Sequence, residues 1–176
     1  MENKLKEISI TDELTGILNR RGFMSMAEKQ LQLGKRIEKP MYLLYADIDN
    51  MKWINDNLGH TIGDQALVEA TNLLRDTCRQ ADLIGIGRLG GDEFAILMFS
   101  DAVTSCCEHP VLDRIDKNIA ARNENNNSHY TLSISTGIVR YDPKDHTSIE
   151  EFISKGDEAM YACKKERKNK AANIPN

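Results

Sequence analysis

The feature that most constrains the fold is a pair of apolar runs, "LIGIGRL" and "EFAILMF", joined by the three residues "GGD". Glycine accepts the positive φ that tight turns require, so two such runs predict a buried β-hairpin. The turn carries two adjacent acids, Asp92 and Glu93. Burying a carboxylate without a partner is costly, which raises the question of what compensates these charges.

The remaining elements follow from hydrophobic periodicity. Helical spacing predicts four helices, over 20–35 with Gly34 as the stop, from about Gly63 or Asp64 onward, over roughly 110–122 and over 148–168. The run "MYLLYADID" is apolar on both faces and predicts a central strand, whereas "YTLSISTGIV" alternates and predicts a strand with one polar face. The segment "KWINDNLGHTIGD" contains too many turn residues for one long helix. This order predicts a mixed sheet covered by helices, similar to the ferredoxin-like arrangement.

Composition limits the function classes. The chain has 176 residues, which suits one domain, and its net charge of −4 argues against a nucleic-acid polymer as partner. The 4 cysteines include no CxxC pair, which favours reduced thiols over a metal knuckle. The run "MYLLYA" is too short for a membrane span, and the N-terminus lacks the apolar core of a signal peptide. We expect a cytoplasmic location, either alone or as the cytoplasmic part of a longer, membrane-anchored protein.

Two pairs of acids follow apolar strands. Asp47 and Asp49 end the predicted central strand, and Asp92 and Glu93 lie at the hairpin turn. If these strands are neighbours, both pairs lie at one edge of the sheet, where a divalent cation would offset their repulsion. Mg²⁺ usually takes one or two carboxylates plus phosphate oxygens, so this pattern indicates a magnesium site that presents a nucleotide phosphate. The alternative is that the aspartates only cap a helix and serve the turn.

Five stretches of the sequence resemble one known family. "GGDEF" at 90–94 is similar to the signature of the GGDEF domain, the catalytic domain of diguanylate cyclases. Further similar stretches follow in the family's order along about residues 9–170: "DELTGILNRRGF", "DIDNMKWINDNLGHTIGD", "SISTGIV" and "DEAMYACKKERKN". The resemblance implies a palm-like α+β fold with a mainly antiparallel five-stranded sheet and the GGDEF hairpin at the active site. It also implies domain limits of 11–170, with a linker over 1–10 and a flexible tail over 171–176.

The resemblance implies a reaction in which two GTP molecules become cyclic di-GMP and two pyrophosphates, across two facing domains. Asp47, Asp92 and the backbone carbonyl of Ile48 would hold Mg²⁺ or Mn²⁺, two ions per GTP site. Asp92 would accept the proton of the attacking 3′-hydroxyl, with Glu93 as the second acid, and Lys52 would offset charge on the phosphoryl group. The implied partners are GTP, cyclic di-GMP, a second copy of the chain and an N-terminal sensor domain.

The same resemblance assigns substrate contacts. Asn55 and Asp64 would recognise guanine, since a carboxylate accepts from its N1 and N2 edge, and His60 would shape that loop. The alternative for Asp64 is a helix N-cap. Gly90 and Gly91 would let the turn lie under the phosphates, because a backbone without Cβ approaches a ligand closely.

Two regions depart from the family pattern. Lys164 and Lys168 would reach the triphosphate, but Lys168 stands where the family usually has Arg and thus lacks the bidentate fork. Arg167 stands where the family usually has Gly. Arg79 and Asp82 match the family's RxxD product-inhibition site, yet seven residues rather than five separate it from the signature. Two extra residues preserve strand facing or else bulge the hairpin.

Two other functions remain open on the sequence. One is a non-catalytic receptor for GTP or cyclic di-GMP, which the departures at the last helix and the hairpin would suit. The other is a different palm-fold nucleotidyl cyclase or polymerase, against which Asp64 and the net negative charge both argue.

Overall fold

The computed structural model describes residues 9–78, 82–100, 109–125, 129–142 and 148–172, with side chains for all of these except 125 and 166–172. The order of elements is β1 (Leu18–Asn19), α1 (Arg20–Ile37), β2 (Met41–Ile48), α2 (Met51–Leu58), α3 (His60–Thr77), β3 (Leu83–Gly90), β4 (Glu93–Phe99), α4 (Pro110–Asn125), β5 (Ile134–Tyr141) and α5 (Ile149–Ala172).

The five strands form one mixed sheet in the order β1-β3-β4-β2-β5. Only the two-residue β1 pairs in parallel, with β3, and the other described pairings are antiparallel. The hairpin and the central position of β2 are as the sequence predicted. The predicted fold class, a mainly antiparallel five-stranded α+β sheet covered by helices, is confirmed.

Alternation along β2 divides the core into two layers. Leu44 and Ala46 face the layer that is covered by α2, α3 and α4, and Leu43 and Tyr45 face the layer that is covered by α1 and α5. All four side chains are buried, which explains why this strand is apolar on both faces. Because Asp47 continues the second series, its side chain emerges on the α1/α5 face.

Two predictions of helix limits are wrong. Gly34 does not end α1, which continues to Ile37 and ends at Glu38, whose φ is 52°. Gly34 is instead buried inside the helix, where its missing Cβ leaves room for the side chain of Met41. The second error is the start of α3, which begins at His60 rather than at Gly63 or Asp64. The predicted interruption is present, since Gly59, with φ of 89°, separates α3 from α2.

Other limits differ by a few residues. The last strand begins at Ile134 rather than 130, α4 continues to Asn125, and α5 continues to Ala172. The β3–β4 register shifts between Leu83 and Gly85 and again between Arg88 and Gly90, so the long outer arm is bulged. Among the described residues, no helix is long and apolar enough to cross a membrane.

Glycines allow α5 to approach the sheet closely. A Cβ at Gly137 of β5 would overlap the backbone of Met160 in α5. On the helix side, a Cβ at Gly156 would lie 3.2 Å from side-chain atoms of Leu43 and Tyr45. Backbone contact at this crossing fixes the height of α5 above β2 and β5, and so determines where the side chains of its next turns emerge.

Candidate active site at the end of the central strands

The two acid pairs lie together because β2 and β4 are neighbours. Asp47 is directly opposite Glu93 in the antiparallel register. One residue further, the amide of Ile48 donates to the backbone carbonyl of Asp92 at 3.1 Å. The hairpin turn is therefore tied to the end of β2, and Asp92 lies close enough to Asp47 to influence its charge.

Asp47 is half-buried among charges of both signs. Burial raises the pKa of its carboxyl above the usual value, and the negative charges of Asp92 and Asp49 act in the same direction. The ammonium group of Lys164, whose Nζ lies 3.0 Å from Asp47 Oδ1, opposes this rise. The carboxyl group of Asp47 is therefore half-buried between two other acids and one ammonium group.

Asp49 has a different environment, although it is only two residues away. Burial favours its protonated form, but hydrogen bonds from Lys164, Ser133 and Ser135 outweigh burial and lower its pKa. Ser133 Oγ donates to Asp49 Oδ2 at 2.7 Å and Ser135 Oγ donates to Oδ1 at 2.8 Å. The backbone continues this attachment, since the amide of Asp49 donates to the carbonyl of Ser133 at 2.9 Å. The sequence predicted Asp49 only as a member of the acid pair at the magnesium site or as a helix cap, and it gave the two serines no role.

Lys164 reaches this site from α5. Its Nζ lies 2.8 Å from Asp49 Oδ1, so the ammonium group bridges the two aspartates. Burial disfavours the charged amine, but the hydrogen bonds to Asp49 and Asp47 outweigh it and raise the pKa of Lys164. The amine is therefore held as a cation beside the carboxylates.

The hairpin turn is exposed, and Arg88 fixes its backbone. Gly90 and Gly91 are both exposed, and Gly91 has a positive φ of 24°. Arg88 Nε donates to the carbonyl of Gly91 at 2.8 Å, and its Nη1 lies 3.2 Å from Asp12 Oδ1. Asp12 also accepts from the amide of Thr15 at 2.9 Å. Sequence reasoning did not assign this clamp, because its ends are 76 residues apart.

Glu93 has a partner on the α1/α5 face. The phenol of Tyr45, two residues before Asp47 on β2, donates a hydrogen bond to the Glu93 carboxylate. Burial, followed by the charge of Glu93 and this hydrogen bond, raises the pKa of Tyr45 well above its usual value. Tyr45 thus orients the acid that follows Asp92.

The residues expected to bind guanine lie on α2 and α3. Asn55 is half-buried, and a Cβ at Gly63 would overlap its Oδ1, so the missing side chain at Gly63 makes room for the amide. Asp64 and His60 are exposed. Since α3 begins at His60, Asp64 lies inside the helix and is not its N-cap. This removes the alternative reading of Asp64.

Other expected site residues have less structural context. Lys52 is exposed on α2. The side chain of Lys168 and all of Arg79 lie outside the described residues. Asp82 is half-buried, and its carbonyl accepts from the amide of Phe99 at 2.8 Å. The sequence left open whether the two extra residues of the hairpin arm preserve strand facing or form a bulge, and the register shift after Asp82 corresponds to a bulge.

The donor set suits a hard divalent cation. Within the described ranges, no group of three or more His, Cys, Asp or Glu side chains is arranged to hold a metal ion. The expected set, however, consists of two carboxylates, Asp47 and Asp92, and the carbonyl of Ile48, with nucleotide oxygens completing it. The ammonium group of Lys164 lies at Asp47, so one cationic group already pairs with this carboxylate.

Comparisons with known proteins identify the family. The family model "Diguanylate cyclase, GGDEF domain" matches residues 9–170, so the chain belongs to the GGDEF domain family. "Probable diguanylate cyclase DgcC" of Escherichia coli (strain K12) is 33% identical over 169 residues, which are 96% of this chain and 44% of that protein. "Diguanylate cyclase DosC" of the same strain is 32% identical over 165 residues, covering 90% of this chain and 34% of that protein.

A solved structure agrees with the fold. It is described as "A Novel Interaction Mode between a Microbial GGDEF Domain and the Bis-(3, 5)-cyclic di-GMP". It is 29% identical, has a TM-score of 0.72, and covers 92% of this chain and 94% of that chain. The chain spans less than half the length of the two curated relatives, which are longer proteins.

Proposed function

We propose that this chain is a diguanylate cyclase, which condenses two GTP molecules into cyclic di-GMP and two pyrophosphates. The observation that carries the proposal is the position of Asp47 opposite the hairpin turn, tied there by the bond from Ile48 to Asp92. The two curated relatives bear the name diguanylate cyclase, which supports the same activity.

Asp47, Asp92 and the carbonyl of Ile48 would hold Mg²⁺ or Mn²⁺, two ions per GTP site. Bound metal would neutralise the triphosphate and lower the pKa of the attacking hydroxyl. A carboxylate oxygen of Asp92 accepts the 3′-hydroxyl proton as the new O–P bond forms, and pyrophosphate leaves with the electrons of the broken bond. Glu93, oriented by Tyr45, is the second acid at this turn.

The remaining polar groups bind and orient GTP. The backbone of the exposed residues Gly90 and Gly91 would face the phosphates, as in a backbone nest. Lys164 and Lys168 pair with the triphosphate, and Lys52 offsets charge that develops on the phosphoryl group.

Guanine recognition belongs to α2 and α3. The half-buried amide of Asn55 and the carboxylate of Asp64 bind the base edge, and His60 shapes the turn between the two helices. Adenine lacks the N1–H and N2–H donor pair that a carboxylate accepts, so ATP would leave these groups unsatisfied.

The reaction needs two copies, because each domain presents one GTP and the attacking hydroxyl belongs to the other. We propose a homodimer for catalysis, brought together by an N-terminal sensor domain of a longer protein. Cyclic di-GMP would also act at Arg79 and Asp82, and the register shift that follows Asp82 lies between this site and the hairpin turn.

The decisive experiment is turnover of GTP with Mg²⁺ at several concentrations of purified protein, with products separated by chromatography. Cyclic di-GMP and pyrophosphate should appear in a 1:2 ratio by the stoichiometry proposed above, with a rate that rises with the square of protein concentration. Absence of product from a dimer forced by a fused coiled coil would refute the proposal.

The second candidate is a receptor that binds GTP or cyclic di-GMP without turnover. The bulged arm after Asp82 favours it, and one related GGDEF domain is described by its interaction with cyclic di-GMP. Calorimetry combined with product analysis separates the two functions. A receptor binds nucleotide in the presence of Mg²⁺ and forms no product, whereas a cyclase forms cyclic di-GMP.

A further inference from the structure

The contacts of Lys164 extend beyond a phosphate-binding role. Its ammonium Nζ lies 3.0 Å from Asp47 Oδ1 and 2.8 Å from Asp49 Oδ1. Asp47 is the carboxylate that the proposed function assigns to the metal. An ion pair at this distance occupies one lone-pair direction of Asp47 Oδ1 and cancels much of its charge.

Asp49 is built as a fixed anchor for this amine. Both of its oxygens accept serine hydroxyls, Ser133 on Oδ2 and Ser135 on Oδ1, so the carboxylate cannot rotate without losing bonds. Its backbone is paired with Ser133 as well. The side chains of Lys164, Asp47 and Asp49 are only 30%, 19% and 18% exposed, so solvent screens the cluster incompletely.

We propose that Asp49, held by Ser133 and Ser135, is a positioning residue that stations Lys164 at Asp47 as a resident counter-cation, with which a divalent metal ion must compete. The inference rests on the proposed function only in taking Asp47 as a metal ligand. When the triphosphate arrives, it offers the amine an alternative partner. Metal and nucleotide therefore bind cooperatively. A metal ion at Asp47 frees Lys164 for the triphosphate, and a triphosphate that pairs with Lys164 frees Asp47 for the metal ion.

The first test measures Mn²⁺ binding without nucleotide, from the loss of the free-ion electron paramagnetic resonance signal. Lys164→Met should tighten Mn²⁺ binding at least about tenfold, which is the factor for an ion pair of this length even with the full screening of water. Lys165→Met is the matched control, because it removes the same charge from the next, exposed position of α5. Equal affinities of the two variants, or no Mn²⁺ binding by either, would overturn the proposal.

The second test isolates the anchor. Ser133→Ala with Ser135→Ala should tighten Mn²⁺ binding about threefold when Lys164 is present and leave it unchanged in the Lys164→Met background. A change of equal size in both backgrounds means that the serines act on folding or local charge alone, and it refutes the positioning role. Thr136→Val, which removes a hydroxyl from the opposite face of β5, controls for the loss of a buried polar group.

These readouts do not depend on turnover. Failure of the proposed function appears as absence of cyclic di-GMP with any metal. Failure of this inference appears as Mn²⁺ affinity that is indifferent to Lys164. The double variant Ser133→Thr with Ser135→Thr keeps both hydroxyl groups, so its Mn²⁺ affinity should equal that of the wild type. An affinity like that of the alanine double variant counts against the anchoring role.

Discussion

Arg88 joins the hairpin turn to the first turn of the domain through Asp12. Its Nη1 lies 3.2 Å from Asp12 Oδ1, while its Nε holds the carbonyl of Gly91 at 2.8 Å. One side chain thus fixes the loop that carries Asp92 and connects it to the segment that precedes β1. The side chains of Arg88 and Asp12 are only 17% and 22% exposed, so this pair is better protected from solvent than a surface ion pair.

Arg88→Ala should lower both turnover and stability. The loss of charge-assisted bonds to Gly91 and Asp12 should reduce the free energy of unfolding by about 1.5–3 kcal/mol. We expect kcat/KM for GTP to fall about 100-fold, because the turn under Asp92 is no longer fixed. Steady-state kinetics and urea unfolding measure the two effects, with Arg75→Ala on the outer part of α3 as the control. Wild-type kinetics in Arg88→Ala would contradict the clamp.

Asp12 predicts an acid dependence of stability. Burial alone would raise its pKa, but the hydrogen bonds from Thr15 and the charge of Arg88 outweigh burial and lower it below 3.8. The stabilisation is therefore complete above pH 3.8 and is lost as the pH falls through the folded-state pKa. Unfolding curves of wild type and Asp12→Asn should differ at pH 7, and the difference should shrink as the pH falls below 3.8 through the folded-state pKa. A constant difference across this range would show that the Asp12 charge is irrelevant.

Asp47→Asn should separate function from stability. Burial and the neighbouring acids raise the pKa of Asp47, so its ionised form costs the folded state, and that cost appears as the pH rises through the raised pKa. At pH 7 the amide should unfold at the wild-type temperature or higher, while cyclic di-GMP formation falls at least about 100-fold. Asp76→Asn, an exposed acid on α3, provides the matched control. A marked drop in melting temperature would contradict this account.

Gly63→Ala should weaken GTP binding through Asn55. A Cβ at this position overlaps Asn55 Oδ1, so the amide must turn away from the proposed base site. Alanine favours a helix by about 1 kcal/mol over glycine, so α3 itself should not be destabilised. Calorimetry with GTP should give an affinity about tenfold lower. Asn55→Ala should cause a similar loss, and combining the two changes should add little, whereas additive losses would exclude this route.

Gly137→Ala and Gly34→Ala should differ strongly in stability. At Gly137 the added Cβ meets the backbone of α5 at Met160, which cannot rotate away, and we expect a loss of about 3 kcal/mol or more. At Gly34 it meets the terminal methyl of Met41, a flexible group, and the gain in helix propensity offsets the contact. Chemical denaturation of both variants measures the contrast. Similar losses would mean that α5 accommodates the change by moving.

Local patterns in the sequence predicted the sheet and the meeting of the acids. The continuous apolar run of β2 and the two apolar runs joined by a glycine turn predict neighbouring buried strands, and their pairing brings Asp47 opposite Glu93. Glycine was the less reliable signal. Gly34 was expected to end a helix and lies inside one, because packing against Met41 outweighs its poor helix propensity.

The charge network around Asp49 could not be read from the sequence. Lys164 is 117 residues from Asp47, and Ser133 is 84 residues from Asp49. No short-range spacing relates such residues, and only the height at which α5 crosses β5 brings the amine to the aspartates. Serines in an alternating strand suggest a polar face but not which acid that face will hold.

The two register shifts of the β3–β4 pairing show which strands of the sheet can change in length. Both register shifts lie in β3, whereas β2 pairs without interruption on both of its sides. A single residue inserted into β2 would turn Asp47 towards the opposite layer and dismantle the site. The outer arm of the hairpin is therefore the part of this sheet where a change in length leaves Asp47 facing the site, whereas β2 cannot change length without moving it.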